Sequence, residues 1–362
     1  MSSPADLHPF QQKLMGIVVD QMIAAGIALG GRLELFEALA QVGSEENPAT
    51  PKEVAEKAGC KERYIKEWLG AMACGEIIEV TQDERFYIKP EHIQFLNSSN
   101  IAITQPSMNI AVLEPYSKLM EVMKKEGPLG LTYDNYSKFY EEMARLSESL
   151  HRQHLFSDFI PLLGIQDKLE SGSMKILDVG CGNGLHAALM AEHFPNSQFF
   201  GIDLSEKAIG QAKNRRKESN GEEFKNLEFR IMDAGKMDPN WSDTFDMVLI
   251  FDSCHDQMRP DLCMKEIHRV LKPGCQFAMV EIKGTSSIYK DRELLGKRAV
   301  FPYAASLLHC LPVGSNSPDA LGLGAAWGQA KAESMLRDAG FSKVEVVDIP
   351  YFSINLLYIS TK

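Results

Sequence analysis

Residues 175–193 read KILDVGCGNGLHAALMAEH, and this stretch decides the fold. Lys175-Ile-Leu-Asp-Val179 is a short apolar run that stops at glycine, the pattern of a buried strand. Gly180-Cys181-Gly182-Asn183-Gly184 follows at once, and LHAALMAEHF then reads as a helix. Strand, glycine-rich turn and helix in that order open an α/β unit. Glycines let the backbone turn sharply there and come close to a ligand. The spacing departs from the dinucleotide fingerprint G-x-G-x-x-G: the third glycine arrives one residue early and Leu185 stands in its place. No basic residue lies within the loop to meet a pyrophosphate. Both features point to a ligand without phosphates.

Downstream, four more strand patterns alternate with helices: Phe199–Ile202, Leu227–Ile231, Phe245–Phe251 and Gln276–Ile282. Such alternation predicts a parallel, doubly wound sheet. Val344–Val347 and Asn355–Ile359 end the chain with too short a link for a crossover helix, so they are expected to run antiparallel. Asp203 follows the second strand, where a carboxylate can accept bonds from ribose hydroxyls. Asp203-Leu-Ser could instead simply cap the next helix, but Ser205 suits that task better and leaves Asp203 for a ligand. Asp233-Ala234 follows the third strand, where a carboxylate and a backbone N–H can meet an adenine edge.

Upstream the pattern is different. Residues 10–41 carry helical apolar spacing, with Gly30-Gly31 as the expected break. The apolar stretch Ile17–Leu29 is short of the ~20 residues of a membrane span and is interrupted by Asp20, Gln21 and Gly26. A buried or dimer-interface helix is the expectation there. Thr50-Pro-Lys-Glu53 forms a capping box, Gly59 ends that helix, and a second begins near Lys61 with Tyr64, Ile65, Trp68, Leu69 and Met72 on its apolar face. Ile77–Val80 and Arg85–Ile88 then read as a hairpin, which completes a winged-helix pattern. Its second helix balances Lys61, Arg63 and Lys66 with Glu62 and Glu67, and the 362-residue chain carries a net charge of −11 with a pI near 5.4. A duplex reader normally presents free positive charge, so dimerisation or pocket building is preferred over nucleic-acid binding. Residues ~100–165 are helical and rich in aromatics.

Seven scattered cysteines without CxxC or CxxH spacing give no sign of a metal site and fit a reduced, cytoplasmic protein. The first residues lack a basic segment leading into an apolar run, so no secretory signal is expected.

ILDVGCGNG, FFGIDLS, IMDAGKM, FDMVLIFDSCHD and RVLKPGCQFAMVEI resemble the successive motifs of class I S-adenosylmethionine-dependent methyltransferases over residues ~174–283, and the terminal hairpin extends the likeness. The resemblance implies a Rossmann-like α/β fold: a doubly wound sheet with a C-terminal antiparallel hairpin, plus an N-terminal, mostly helical winged-helix domain. It implies S-adenosylmethionine as cofactor, with Gly180, Cys181, Gly182 and Gly184 around its methionine part and Asp178 orienting the loop or the amino group. Asp203 and Leu204 would serve the ribose, Asp233 and Ala234 the adenine, and Phe251 would complete the contacts. With the winged helix in front, the chain is similar to small-molecule O-methyltransferases of plants and microbes, which implies a homodimer with no membrane association. His255 in Phe251-Asp-Ser-Cys-His-Asp256 falls on their catalytic-base position, while Gln257 replaces their usual tryptophan. A histidine that titrates near neutrality suits proton removal from a phenol or similar acid.

The expected organisation is a winged-helix and dimerisation domain over 1–100, a helical connector and candidate lid over 101–165, and the methyltransferase domain over 166–362. The expected function is methyl transfer to an oxygen or nitrogen of a small-molecule acceptor. A protein methyltransferase, or a winged-helix regulator that binds S-adenosylmethionine without catalysis, are the alternatives. His154 and Trp327 are candidate acceptor-pocket residues, with His151 beside them.

Overall fold

The computed structural model describes residues 8–98, 100–172 and 174–362. The chain packs as two compact units, one made of residues up to Glu114 with Lys138–Met143, the other of Pro115–Ser137 with Ala144–Lys362.

In the first unit, α1 (Pro9–Arg32) runs straight through Gly30-Gly31, contrary to the expected break. Gly30 serves packing instead: a Cβ there would come within 2.4 Å of the Phe36 ring and 2.8 Å of Trp68. The chain turns three residues after Gly31, at Glu34, which takes a left-handed φ of 53°. α2 (Leu35–Val42), α3 (Pro51–Ala58) and α4 (Glu62–Cys74) follow. The capping box forms as the sequence predicts. The Thr50 hydroxyl accepts the Glu53 N–H, and the Glu53 carboxylate accepts the Thr50 N–H at 2.7 Å. Gly59 ends α3 at φ 64°.

Phe36, Leu39, Ile65, Trp68, Leu69 and Met72 form the core of the unit, and the Trp68 indole donates to the Gly26 carbonyl at 2.9 Å. The wing is shorter than expected. β1 (Glu79–Val80) pairs with β2 (Phe86–Tyr87), and Ala49 bridges to Phe86 as a third rung. Ile78 and Ile88 are spent on the core rather than on a longer ladder. α5 (Ile101–Ala111) packs along α1.

Within the described chain the N-terminal part of α1 is not buried, a departure from one of the two expected readings. Its residues 9–22 are exposed throughout, Leu14, Ile17, Val18 and Met22 among them. Among the described residues it is the one helix long and apolar enough to cross a membrane by length and composition.

The second unit is built on a seven-stranded sheet: β3 (Lys175–Val179), β4 (Gln198–Asp203), β5 (Leu227–Ile231), β6 (Phe245–Phe251), β7 (Leu271–Ile282), β8 (Lys343–Asp348) and β9 (Asn355–Thr361). Its order is β5-β4-β3-β6-β7-β9-β8, parallel through β7 and antiparallel for β9 and β8. Both faces are covered, as in other parallel sheets. Leu177, Val179, Val248 and Ile250 face one core with α9 (Pro260–Val270) and α10 (Gln329–Asp338). Ile176, Met247 and Leu249 face the other, with Leu155, Phe159 and Met190. Three further helices, α6 (Ser137–His154), α7 (Leu185–His193) and α8 (Glu206–Lys213), bear on the site below. The strand order reverses between β3 and β6. In such sheets the carboxyl ends of the strands at that point form the ligand crevice.

Leu249, 1% exposed at the centre of β6, tests this core. Leu249→Ala is expected to lower the stability of the second unit by about 3 kcal/mol, read as a fall in the urea midpoint. An unchanged midpoint would contradict the burial described.

Candidate functional site

All the residues singled out between Asp178 and His255 lie at or just beyond the carboxyl ends of β3, β4, β5 and β6. Gly180, Gly182 and Gly184 take φ values of 67°, 53° and 75°, a region that L side chains rarely enter. A Cβ on Gly180 would meet the Ser253 hydroxyl at 2.3 Å, and one on Gly184 the Phe229 ring at 2.4 Å. A Cβ on Gly182 would point into open space, so the middle of the loop faces room for a ligand. The Cys181 N–H bonds the Ile202 carbonyl at 3.0 Å, which stitches the loop to the end of β4. Burial pushes the Cys181 thiol far up, so it is an inert apolar contact.

Asp203 is more committed than the sequence suggests. One carboxylate oxygen accepts the Gly182 N–H at 2.9 Å, and the other accepts the Ser205 N–H at 2.8 Å. Ser205 does cap α8, through the Ala208 N–H at 3.2 Å. A carboxylate has about four acceptor directions, so Asp203 keeps capacity for ligand hydroxyls while it holds the loop. Burial raises its carboxyl above the usual range despite these bonds. Leu204 beside it is exposed. Asp233 is exposed, with one oxygen on the Gly235 N–H at 2.8 Å, and Ala234 is buried next to it.

Asp178 is 1% exposed, and its Oδ2 has no hydrogen-bond partner. Burial, with the charge of Asp203 added, lifts its carboxyl to about 8. An orphaned buried carboxylate oxygen, a loop open at Gly182 and a second carboxylate with spare lone pairs fit a ligand that brings an amino group and hydroxyls. Arg215, unexpected from its position in the chain, also reaches the loop: its Nε donates to the Asn183 carbonyl at 2.6 Å.

The second half of the site forms around His255. β6 ends at Phe251, and Asp252 then adopts a left-handed φ of 46°. A non-glycine residue pays about 1 kcal/mol for that. The turn delivers Cys254 and His255 to Glu281 on β7. Glu281 is fully buried and accepts four bonds: Cys254 N–H at 3.0 Å, His255 N–H at 3.2 Å, His255 Nδ1 at 2.5 Å and the Trp327 indole at 3.3 Å. With Nδ1 donating to Glu281, Nε2 is turned toward Asp256, 3.3 Å from its Oδ1. Burial alone would push the imidazole down, but the charges of Glu281 and Asp256 outweigh it and hold the ring well above the usual histidine range.

Trp327 thus joins the cluster through Glu281. His154 has other ties: it pairs with Asp158 at 2.8 Å and stacks on Tyr351 at 4.4 Å. Phe251 stacks on His186 at 4.0 Å. Gln257 bonds the Ser253 carbonyl from its own turn.

Glu281, Cys310 and Tyr133 are the residues that reading along the chain missed. Glu281 leaves a trace, a single carboxylate in the apolar run FAMVEI. Cys310 ends a π-helical turn, Ser306–Cys310, of a kind frequent at functional sites. Its sulfur, His255 and Asp256 offer atoms within 4.8 Å of one another, the one group among the described residues close enough to hold a metal ion. Burial pushes the Cys310 thiol up to about 12, so with no metal bound it stands as a protonated thiol. The phenol of Tyr133 is held well above its usual range by burial and by the charges of both Asp256 and Asp203. It therefore lies within electrostatic reach of both halves of the site.

A family model described as a methyltransferase domain matches residues 170–340, and one described as an Rv2258c-like winged HTH domain matches residues 21–97. The chain is 32% identical over 109 residues to the fatty-acid O-methyltransferase of Mycolicibacterium smegmatis, which spans 30% of this chain and 37% of that protein. It is 30% identical over 197 residues to the demethylmenaquinone methyltransferase of Chlorobaculum parvum, spanning 52% of this chain and 73% of that protein. Human N-acetylserotonin methyltransferase, solved in complex with S-adenosylmethionine, matches with a TM-score of 0.62 and 14% identity over 100% of this chain and 99% of that one. At that identity the likeness speaks for the fold alone. The shared sequence, the strand order and the cradle beyond β3 and β4 agree, and the chain belongs to the S-adenosylmethionine-dependent methyltransferases, with a winged-helix domain ahead of its methyltransferase domain.

Proposed function

We propose that this enzyme methylates an oxygen or nitrogen of a small molecule, with His255 as general base. The observation that carries the reading is the buried His255–Glu281 pair, which fixes the ring with Nε2 toward Asp256 and away from Glu281. The bound cofactor supplies an electrophilic sulfonium methyl. Gly180, Cys181, Gly182 and Gly184, with Asp178, hold its methionine part. Asp203 and Leu204 would serve the ribose, Asp233 and Ala234 the adenine, and Phe251 would complete the contacts. Positioning the acceptor in line and excluding water then provide most of the acceleration. His255 Nε2 takes the acceptor's proton, and Glu281 stabilises the imidazolium that results. Trp327, Tyr133 and Cys310 border the acceptor, while the ties of His154 to Asp158 and Tyr351 argue for a supporting place. The small-molecule reading takes support from the names of the two relatives, a fatty-acid O-methyltransferase and a demethylmenaquinone methyltransferase.

The test is product formation from labelled S-adenosylmethionine with a panel of phenols, carboxylic acids and amines. His255→Ala is expected to lose ~10²–10⁴-fold in kcat, and full activity in that variant would remove the base assignment. The pH profile follows from the raised pKa of His255. A raised pKa keeps the ring protonated to higher pH, so the base form appears only as pH climbs. The rate is expected to rise with pH, with its midpoint on the alkaline side of an ordinary histidine. Glu281→Gln removes the negative charge that holds the proton, so the midpoint should move toward acid. A midpoint that stays put would contradict this account of His255.

The domain reading is a winged-helix and dimerisation domain over 1–100, a connector and lid over 101–165 and the methyltransferase domain over 166–362, acting in the cytoplasm as a homodimer. The exposed apolar residues of α1 support a second copy of the chain as their cover. The wing region argues against duplex binding, because Arg63 pairs with Glu67 and Lys66 with Glu84. Sedimentation equilibrium is expected to give about twice the 40.4 kDa chain mass, and Ile17→Glu with Met22→Glu should return it to the monomer. A monomeric wild type would refute the dimer.

A further inference from the structure

Three buried polar atoms without hydrogen-bond partners gather beside the glycine loop: Asp178 Oδ2, His186 Nε2 and His151 Nδ1. The residues are 1%, 9% and 6% exposed. Asp178 lies two residues before the loop, and His186 is the second residue of α7 after it. The two imidazoles meet edge to face at 4.1 Å, and His186 Nδ1 stands 4.0 Å from Asp178 Oδ2, too far for a hydrogen bond. Phe251 closes the group, stacked on His186 and edge-on to His151 at 5.3 Å. Each unsatisfied buried group costs ~1–3 kcal/mol. Apolar side chains would fill the same space without that penalty. The base chemistry at His255 uses none of the three.

We propose that His151 and His186 receive the carboxylate of the donor's amino-acid end, while Asp178 takes its ammonium group. This rests on the donor-site reading of the glycine loop and Asp203, and deepens it. An α-amino acid brings an anion and a cation a few atoms apart, and the group offers donors on the histidines and an acceptor on Asp178. Burial holds both rings neutral, His151 down to about 4 and His186 well below the usual histidine range. A neutral imidazole keeps one N–H to donate. The positive charge of Arg215 bears on His186, and the N-terminus of α7 lies at the same place. Both favour a carboxylate there.

Calorimetry on the full chain tests this with two ligands. S-adenosylhomocysteine carries the amino-acid end. 5′-Methylthioadenosine keeps the nucleoside and sulfur but lacks it. His151→Phe and His186→Phe are expected to weaken S-adenosylhomocysteine at least tenfold and to leave 5′-methylthioadenosine unchanged. His151→Asn and His186→Gln place amide nitrogens near the lost Nδ1 and Nε2, and should keep most of the affinity. Asp203→Ala should weaken both ligands. Wild-type affinity in the Phe variants, or an equal loss for both ligands, overturns the carboxylate assignment. An Asp203→Ala variant that binds both ligands normally overturns the underlying donor-site reading instead.

Discussion

Four donors converge on the Glu281 carboxylate, and the chemistry of the second unit hangs on that convergence. The group is fully buried, and such a charge is tolerable only when its lone pairs are taken up. Two of the donors are backbone N–H groups of the turn after β6, one is the His255 ring and one is the Trp327 indole from just ahead of α10. One side chain on β7 therefore fixes a neighbouring strand end, a distant tryptophan and the orientation of the candidate base. The left-handed backbone of Asp252 is a cost carried by the same turn.

Asp203 plays the corresponding part on the donor side. Its two oxygens bind the middle of the glycine loop and the start of the next helix. The loop is thereby held in a left-handed conformation that glycines adopt most readily, with open space at Gly182. Binding a ligand at such a loop requires little reorganisation, because Asp203 has already fixed the backbone. Tyr133 bears on both sides of the site, since its phenol feels the charges of Asp256 and Asp203.

Much of the fold was legible in the sequence because it rests on local patterns. Every strand from Lys175 onward appeared as an apolar run, and the short final link forced the last pair to be antiparallel. The Thr50 box and the Gly59 stop were readable for the same reason, since a cap involves residues three apart. Gly30-Gly31 misled because a glycine pair weakens a helix only when nothing packs on it. Here Phe36 and Trp68 do, so α1 runs on to Arg32 and the break falls just after it, at Leu33 and Glu34. The wing was overestimated because Ile78 and Ile88 look like strand residues but are used as core.

The glycine loop, Asp203, Asp233 and His255 could be placed in the site from their positions after successive strands, because in a parallel sheet every such position opens on one edge. Sequence by itself determined the order of elements, a donor ligand without phosphates from the missing basic charge, and the turn that carries the histidine. Only the tertiary structure decided which groups meet. Glu281 lies 26 residues from His255 and Trp327 lies 46 from Glu281. His151 and His186 belong to separate helices, one before β3 in the chain and one after it. Partnership across such distances is set by strand register and helix packing, and no local pattern of residues encodes it.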